Sequence, residues 1–155
     1  MAPEHTWKGD PAKRDPWREW IRKNIPGSSS GYVFEDLDLV ARRFYTEDPI
    51  GRFMLIEMKY ADSTPGRAQV WTFGLIDRLL RTGDPKRLRY FGYYLFQYPN
   101  KDPLKCTQVT VNGKIITIDE LKRFLTFELE IPPYEFPHNV VRSIQDSLLE
   151  RWRKQ

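Results

Sequence analysis

Cysteine and histidine are scarce in this chain of 155 residues. Cys106 is the only cysteine, and His5 and His138 are the only histidines. One cysteine cannot form an internal disulfide, and a structural zinc site normally takes four cysteine and histidine ligands. The sequence therefore excludes a disulfide framework and argues against zinc fingers, zinc deaminases and nucleases with histidine-bound metal. Any metal would be held by carboxylates, which favour Mg²⁺ or Mn²⁺.

Long apolar runs are also lacking. No stretch approaches the ~20 apolar residues that a membrane-spanning helix needs, and the first residues, MAPEHTWKGDPAKRDP, lack the apolar core of a signal peptide. We therefore expect no membrane association and a cytoplasmic location. The composition, 40% hydrophobic and 30% charged, is that of a folded protein. The length predicts a single domain spanning residues 1–155.

Side-chain periodicity and turn residues predict an α/β fold. The order of elements is α-β-β-α-β-β-β-α-α, which implies a mixed central sheet flanked by helices. An Asn112-Gly113 hairpin turn and a capping box of Thr117 and Glu120 mark two boundaries. Residues 1–14 are expected to form a loose arm. The predicted elements are a helix over 15–24, strands at 32–45 and 52–60, a helix at 67–81, strands at 88–98, 105–111 and 114–117, and helices at 117–128 and 139–152.

Charged residues interrupt the predicted strand 52–60. Residues 53–56 are apolar, and then Glu57 and Lys59 follow, two residues apart. Residues two apart in a strand share a face, so these two side chains can converge. Asp36 and Asp38 have the same spacing on the preceding strand. If the two strands pair as a hairpin, two or three carboxylates and one ammonium meet on one face of the sheet.

Such a cluster has two interpretations. Carboxylates bind a hard divalent cation, which polarises a phosphodiester and lowers the pKa of a bound water. The ammonium can orient that water or stabilise charge that develops on the phosphorus oxygens. Alternatively, the charges form an ion pair, which contributes under about 1 kcal/mol when it is exposed. The apolar surroundings of Glu57 favour the metal site.

These residues carry a resemblance to a nuclease superfamily. Asp38, a short turn and then IEMK, with Glu57-x-Lys59 followed by a helix, resemble the core of the PD-(D/E)XK nucleases. That family includes restriction endonucleases, Holliday-junction resolvases, and repair and phage exonucleases. Gln69 and Phe73, in QVWTF, resemble the Gln-x-x-x-Tyr motif of its recombination-nuclease branch, with phenylalanine in place of tyrosine. The resemblance spans roughly residues 15–97.

The resemblance implies a restriction-endonuclease-like core and hydrolysis of DNA phosphodiester bonds with Mg²⁺, which Mn²⁺ can replace. Lys59 would be the catalytic amine that aligns the attacking water. Gln69 would steady Lys59 or the substrate strand, and the alternative is that it only bonds the backbone at the start of the helix. The implied metal ligands are Asp38, Glu57 and the backbone carbonyl of Met58, with Asp36 as a competitor of Asp38 and Glu19 of the first helix as a further candidate.

Contacts to the nucleic acid are expected from basic residues, because the net charge is +4 and several of them cluster. The candidates are Arg42, Arg43, Arg67 and Lys86. Residues 98–155 match no motif and are expected to form a specificity or dimerisation region, with a homodimer required if the substrate is a four-way junction.

Several alternatives stay open. The substrate can be duplex, flap, single strand or junction, DNA or RNA, and the action endonucleolytic or exonucleolytic. The alternative function is a module without catalytic activity that binds nucleic acid or joins a larger complex. In the second case, the aromatic stretches YFGYYLFQY and PPYEFP would form the docking surface.

Overall fold

The computed structural model describes residues 37–44, 46–48 and 50–154. Within these residues, a five-stranded mixed sheet and three α-helices confirm the predicted α/β class. The predicted arm over residues 1–14 and the predicted helix over residues 15–24 lie outside the described residues. Two of the candidate metal ligands, Glu19 and Asp36, also lie outside them. Their predicted roles therefore stay predictions.

The described elements follow the predicted order from the first strand onward. One short 3₁₀ turn, Pro103–Lys105, precedes the fourth strand. The elements are β1 (Leu39–Arg43), β2 (Arg52–Tyr60), α1 (Arg67–Gly83), β3 (Tyr90–Tyr98), β4 (Gln108–Val111), β5 (Lys114–Thr117), α2 (Ile118–Leu125) and α3 (His138–Arg153).

Most boundaries agree with the sequence to within two residues, and the larger differences have physical reasons. β4 begins at Gln108 instead of residue 105, because Pro103–Lys105 forms the 3₁₀ turn. β2 has the predicted bounds, and Thr117 and Glu120 form the predicted capping box at the start of α2. β1 begins at Leu39, because Asp38 binds the neighbouring strand through its carboxylate instead of its backbone. α2 ends before residue 128, because Phe127 has a φ of 63°, which no helix can continue.

The sheet order is β1-β2-β3-β4-β5. β1 and β2 form the predicted antiparallel hairpin, with Val40 opposite Leu55. β3 lies parallel to β2, and α1 makes the crossover connection that a parallel pair requires. β4 and β5 complete the sheet as antiparallel strands. β3 is therefore the middle strand of the sheet and β2 is its inner neighbour, so the polar residues of β2 lie on an inner strand.

Alternation along β2 divides the core between the two faces of the sheet. Met54 and Ile56 belong to one buried cluster, which includes Phe124 of α2. Leu55 belongs to the other, which includes Phe73 of α1. Glu57 shares the face of Leu55, so it points toward the side of the sheet that α1 covers.

A β-bulge in β3 changes which residues face α1. Phe53 pairs with Tyr90, but Leu55 pairs with Tyr93, so three residues of β3 lie opposite two of β2. Gly92 lies in the extra stretch with a φ of 137°, which L-residues rarely adopt. Tyr90 and Tyr93 therefore pack in the same cluster, although they are three residues apart.

The Gly92→Ala variant is expected to lower the free energy of unfolding by about 2 kcal/mol. A Cβ at this position would lie 2.5 Å from the Cβ of Pro133, and its φ would be strained. Urea denaturation of the full chain measures the loss. The matched control is Gly83→Ala at the end of α1, where an added Cβ meets no atom within 4 Å. Equal stabilities of the two variants would contradict this account of the bulge.

Candidate active site

β2 places Glu57 and Lys59 side by side on the face covered by α1. Glu57 follows the apolar half of the strand and is only 2% exposed. The side chain of Lys59 is 21% exposed, because the strand approaches its end there. The Lys59 Nζ lies 2.7 Å from the Glu57 Oε1. The predicted convergence of acid and amine is therefore present, with the acid inside the protein and the amine near its surface.

Gln69, in the first turn of α1, binds both charged groups. Its Nε2 donates to the Glu57 Oε1 at 2.9 Å, and its Oε1 accepts from the Lys59 Nζ at 3.0 Å. The same Oε1 accepts from the backbone N–H of Gly66 at 3.1 Å, just before the helix begins. One side chain therefore makes both the contact with Lys59 and the backbone bond that the sequence offered as alternatives. The helix start holds the Glu57–Lys59 pair in a fixed orientation.

Asp38 lies next to this network, just before β1. Its Oδ2 accepts a hydrogen bond of 2.7 Å from the backbone N–H of Met58, the residue between Glu57 and Lys59. Asp38 is exposed, unlike Glu57. The negative charge of Asp38 is close enough to raise the pKa of Glu57. The structure thus brings together the two described carboxylates, Lys59, Gln69 and the Met58 backbone.

The charge on Glu57 is costly to keep. Burial raises the pKa of its carboxyl group above the ordinary value of 4.5, the hydrogen bond from Lys59 opposes that rise, and the charge of Asp38 adds to it. Its Oε1 accepts from both Lys59 and Gln69. Its Oε2 is buried and has no hydrogen-bond partner within the described residues. One oxygen of this carboxylate is therefore satisfied, and the other is not bound by any described residue.

Tyr93 is a site residue that the sequence did not predict. Its hydroxyl is the other buried side-chain polar atom that lacks a hydrogen-bond partner in the described parts of the chain. Burial raises the pKa of Tyr93 far above its ordinary value, and the nearby charge of Glu57 raises it further. Strict alternation would place Tyr93 on the face opposite Tyr90, and only the bulge at Gly92 brings it to the site. The signal that could have revealed this shift is Gly92 itself, because a glycine inside a strand often marks a bulge.

A divalent cation fits the described groups. Mg²⁺ is commonly held by one or two carboxylates, with waters and substrate phosphates completing its six ligands. Asp38 and Glu57 supply two carboxylates, and the Glu57 Oε2 is a ligand atom that no described residue binds. Residues 37–44, 46–48 and 50–154 contain no cluster of three or more histidine, cysteine, aspartate or glutamate residues that could hold a metal ion.

Arg42 and Arg43, two of the basic candidates, lie far from this network. Arg43 is opposite Arg52, five residues along β2 from Glu57. At about 3.3 Å per residue, this separation is about 17 Å. The guanidinium of Arg43 donates to the carbonyl of Thr126, and that of Arg42 lies over the ring of Phe44. The predicted hairpin already implied this distance between the two arginines and Glu57. Arg42 and Arg43 end the first strand and pair with the start of the second strand, whereas Glu57 lies in the later half of the second strand.

The other two basic candidates lie at opposite ends of β2. Lys86 precedes β3 in a loop whose Arg89 carbonyl accepts from the N–H of Phe53, at the start of β2. Arg67 is the first residue of α1 and stands two residues before Gln69. Lys86 and Arg67 are both exposed. The structure thus brings only Arg67 near the candidate site, and the predicted phosphate contacts of all four residues stay predictions.

Comparisons with known proteins give no relative for this arrangement. No helix among the described residues is long and apolar enough to cross a membrane. No protein-family model matches the chain, and neither a curated protein nor a solved structure matches it.

Proposed function

We propose that this protein is a metal-dependent nuclease that hydrolyses phosphodiester bonds of DNA at the Asp38–Glu57–Lys59 site. The observation that carries the proposal is the state of Glu57. Its carboxylate is buried on an apolar strand and is held by Lys59 and Gln69 through one oxygen, while the other oxygen has no partner in the part of the chain that the structure describes. A second carboxylate, that of Asp38, lies beside it.

A comparison within the protein supports a ligand role over a structural one. Asp77 is the other buried acid among the described residues, and both of its oxygens are bound. Its Oδ1 accepts from the Tyr90 hydroxyl and its Oδ2 from the Arg81 Nε, each at 2.7 Å. A buried polar atom without a partner costs about 1–3 kcal/mol. A purely structural Glu57 would be expected to have both oxygens satisfied, as Asp77 does.

Each side chain has a definite task in the proposed reaction. A cation held by Asp38 and Glu57 would polarise the phosphodiester and lower the pKa of a water. Gln69 fixes the Glu57 carboxylate and the Lys59 ammonium relative to each other. An ammonium has three N–H donors, and two of those on Lys59 are directed to Glu57 and Gln69. The third is left to hold the attacking water or a phosphate oxygen at the open side of the site.

Cleavage of a panel of substrates tests the proposal. Linear duplex, circular single strand, flap and four-way junction DNA, together with an RNA strand, are incubated with Mg²⁺, Mn²⁺ or EDTA. We expect cleavage of at least one DNA substrate with either metal and none in EDTA. Glu57→Gln is expected to abolish it, because an amide is a poor ligand for a hard cation. The matched control, Glu150→Gln, changes an exposed glutamate of α3 and should leave cleavage intact.

The outcomes separate the proposed function from its alternatives. DNA binding that ignores Mg²⁺ and survives Glu57→Gln, without cleavage, would mean a binding module with structural acids. Cleavage that persists in Glu57→Gln would place the chemistry elsewhere in the chain. Cleavage of the RNA strand alone would keep the site and change the substrate class. Symmetric paired products from the four-way junction would indicate a dimeric resolvase.

A further inference from the structure

A cavity of about 490 Å³ lies on the sheet face opposite the candidate active site. Met54 and Tyr94, which belong to the cluster on the α2 side of the sheet, line its floor. Its volume falls in the range of about 300–1,000 Å³ that small-molecule sites occupy. The cavity is therefore a second candidate site, separate from Glu57 and on the other side of the sheet.

Four aromatic rings line the cavity. Phe91 and Phe127 meet edge to face with their centroids 5.2 Å apart, and Tyr94 and Phe124 do so at 4.8 Å. The Tyr94 hydroxyl donates to the Ile131 carbonyl at 3.0 Å, so its hydrogen bond is used within the protein. Phe91 and Phe127 are only half-buried. Their surfaces suit a flat aromatic ligand that stacks rather than an aliphatic chain.

Two wall residues have a strained backbone. Arg87 has a φ of 54° and Phe127 has a φ of 63°. Neither is one of the residue types that adopt positive φ readily, and such conformations concentrate at binding and catalytic sites. The strained turn at Arg87 lets its Nη2 donate to the Phe91 carbonyl at 2.8 Å, and the turn at Phe127 brings its ring against Phe91. Both turns therefore build the cavity.

Two side chains of opposite charge complete the lining. Arg87 and Glu130 come from different loops, and both are exposed at the rim. No ion pair within the described residues joins them. One Arg87 nitrogen is used by the Phe91 carbonyl, which leaves other N–H donors of the guanidinium unused by that bond. The cavity thus offers an apolar stacking surface, a cationic donor and an anionic acceptor together.

We propose that this cavity binds a guanine base. Guanine presents acceptors at O6 and N7, which suit the paired donors of an arginine, and donors at N1 and N2, which suit a carboxylate. In this arrangement, the base stacks on one of the two perpendicular rings, Phe91 or Phe127, and meets the other with its edge. Arg87 donates to the O6/N7 edge, and Glu130 accepts from N1–H and N2–H. Adenine has an amino group in place of O6 and no proton on N1, so it would oppose both charged groups.

The guanine can come from a free nucleotide or from a nucleic-acid strand, and the proposal does not depend on nuclease activity. The test is therefore done in EDTA with full-length Glu57→Gln protein, which retains the cavity. Isothermal titration calorimetry compares GMP, AMP, CMP and UMP, and then single-stranded oligonucleotides with or without a terminal guanine. We expect GMP to bind at least about tenfold more tightly than AMP.

Charge-neutral variants locate the binding. Glu130→Gln is expected to weaken GMP binding by about tenfold. The amide that replaces the carboxylate is uncharged and has one acceptor oxygen in place of two for the N1–H and N2–H donors. Glu128→Gln, an exposed glutamate two residues away, is the matched control and should bind GMP as the parent does. Arg87→Gln is also expected to weaken binding, with circular dichroism and thermal unfolding reporting whether its loop still folds. Glu130 is exposed, so its neutral variant is expected to fold and stays interpretable if Arg87→Gln unfolds.

The binding measurements alone decide whether the cavity is a guanine site, and cleavage activity does not enter the comparison. No binding of GMP at millimolar concentration, equal binding of AMP, or identical behaviour of the Glu130 and Glu128 variants would each overturn it. Tighter binding of an oligonucleotide with terminal guanine than of GMP would support a site for a nucleic-acid strand. Equal binding of the two would support a site for the free nucleotide.

Discussion

Lys59→Met is expected to lower the rate of metal-dependent DNA cleavage by at least about 100-fold, the loss typical of removing one donor that stabilises charge in a transition state. Methionine keeps the length and the apolar stem of the side chain but has no N–H donor. The ammonium of Lys59 now meets Glu57 Oε1 at 2.7 Å and Gln69 Oε1 at 3.0 Å. Its remaining donor points to no partner in this network, and the proposed reaction uses that donor.

Single-turnover cleavage at saturating Mg²⁺ measures this effect on whichever DNA substrate the protein prefers. Lys114→Met is the matched control, since Lys114 is an exposed strand lysine on β5. Binding of uncleaved DNA should change much less than the cleavage rate, because the lost interaction is strongest in the transition state. Equal rates for Lys59→Met and the parent would make Lys59 a counterion for Glu57 and remove it from the mechanism.

The sequence predicted the part of the site that depends on local geometry. Glu57 and Lys59 are two apart on one strand, so their common face follows from alternation alone. Gln69 is fixed by the start of α1, and its capping role follows from its place in the first turn. Asp38 required the further step that the two strands pair, and the hairpin pattern supplied it.

The parts that the sequence did not predict depend on non-local geometry. Tyr93 reaches the site through a bulge at Gly92, and alternation along YFGYYLFQY gives the wrong face for Tyr93 unless that interior glycine is read as a bulge. Leu37 and Asp38 were predicted to be in the first strand and lie before it, because the carboxylate of Asp38, and not its backbone, binds the N–H of Met58. The cavity wall arises from two strained turns, at Arg87 and Phe127, that ordinary turn residues would not indicate.

The unfolding free energy should depend on pH and Mg²⁺ through Glu57. Burial raises the pKa of Glu57 above its ordinary value of 4.5, so the folded state binds more protons than the unfolded state between these two values. The contribution of Glu57 to stability is therefore present below about pH 4.5 and is lost as the pH rises through the raised pKa. Glu57→Gln has no such group, so its stability relative to the parent should rise over this window in EDTA.

Mg²⁺ should reverse this trend in the parent protein. The cation binds the ionised carboxylate, so its stabilisation grows as Glu57 loses its proton. At a concentration of 100 times the Kd, the gain is about 2.7 kcal/mol, and Glu57→Gln should show almost none of it. Urea denaturation measures both the loss of stability with rising pH in EDTA and the gain in Mg²⁺. It is carried out on the parent, on Glu57→Gln and on the control Glu150→Gln between about pH 4.5 and 8.

The difference between parent and variant isolates Glu57 from the other acids. Asp48, Asp84 and Glu120 have lowered pKa values because of hydrogen bonds to their carboxylates, so they add stability that is lost as the pH falls. They are the same in both proteins and cancel in the comparison. Equal stabilisation by Mg²⁺ in the parent and in Glu57→Gln would show that the cation binds elsewhere. A buried carboxylate with one unused oxygen would then have to be explained without a metal.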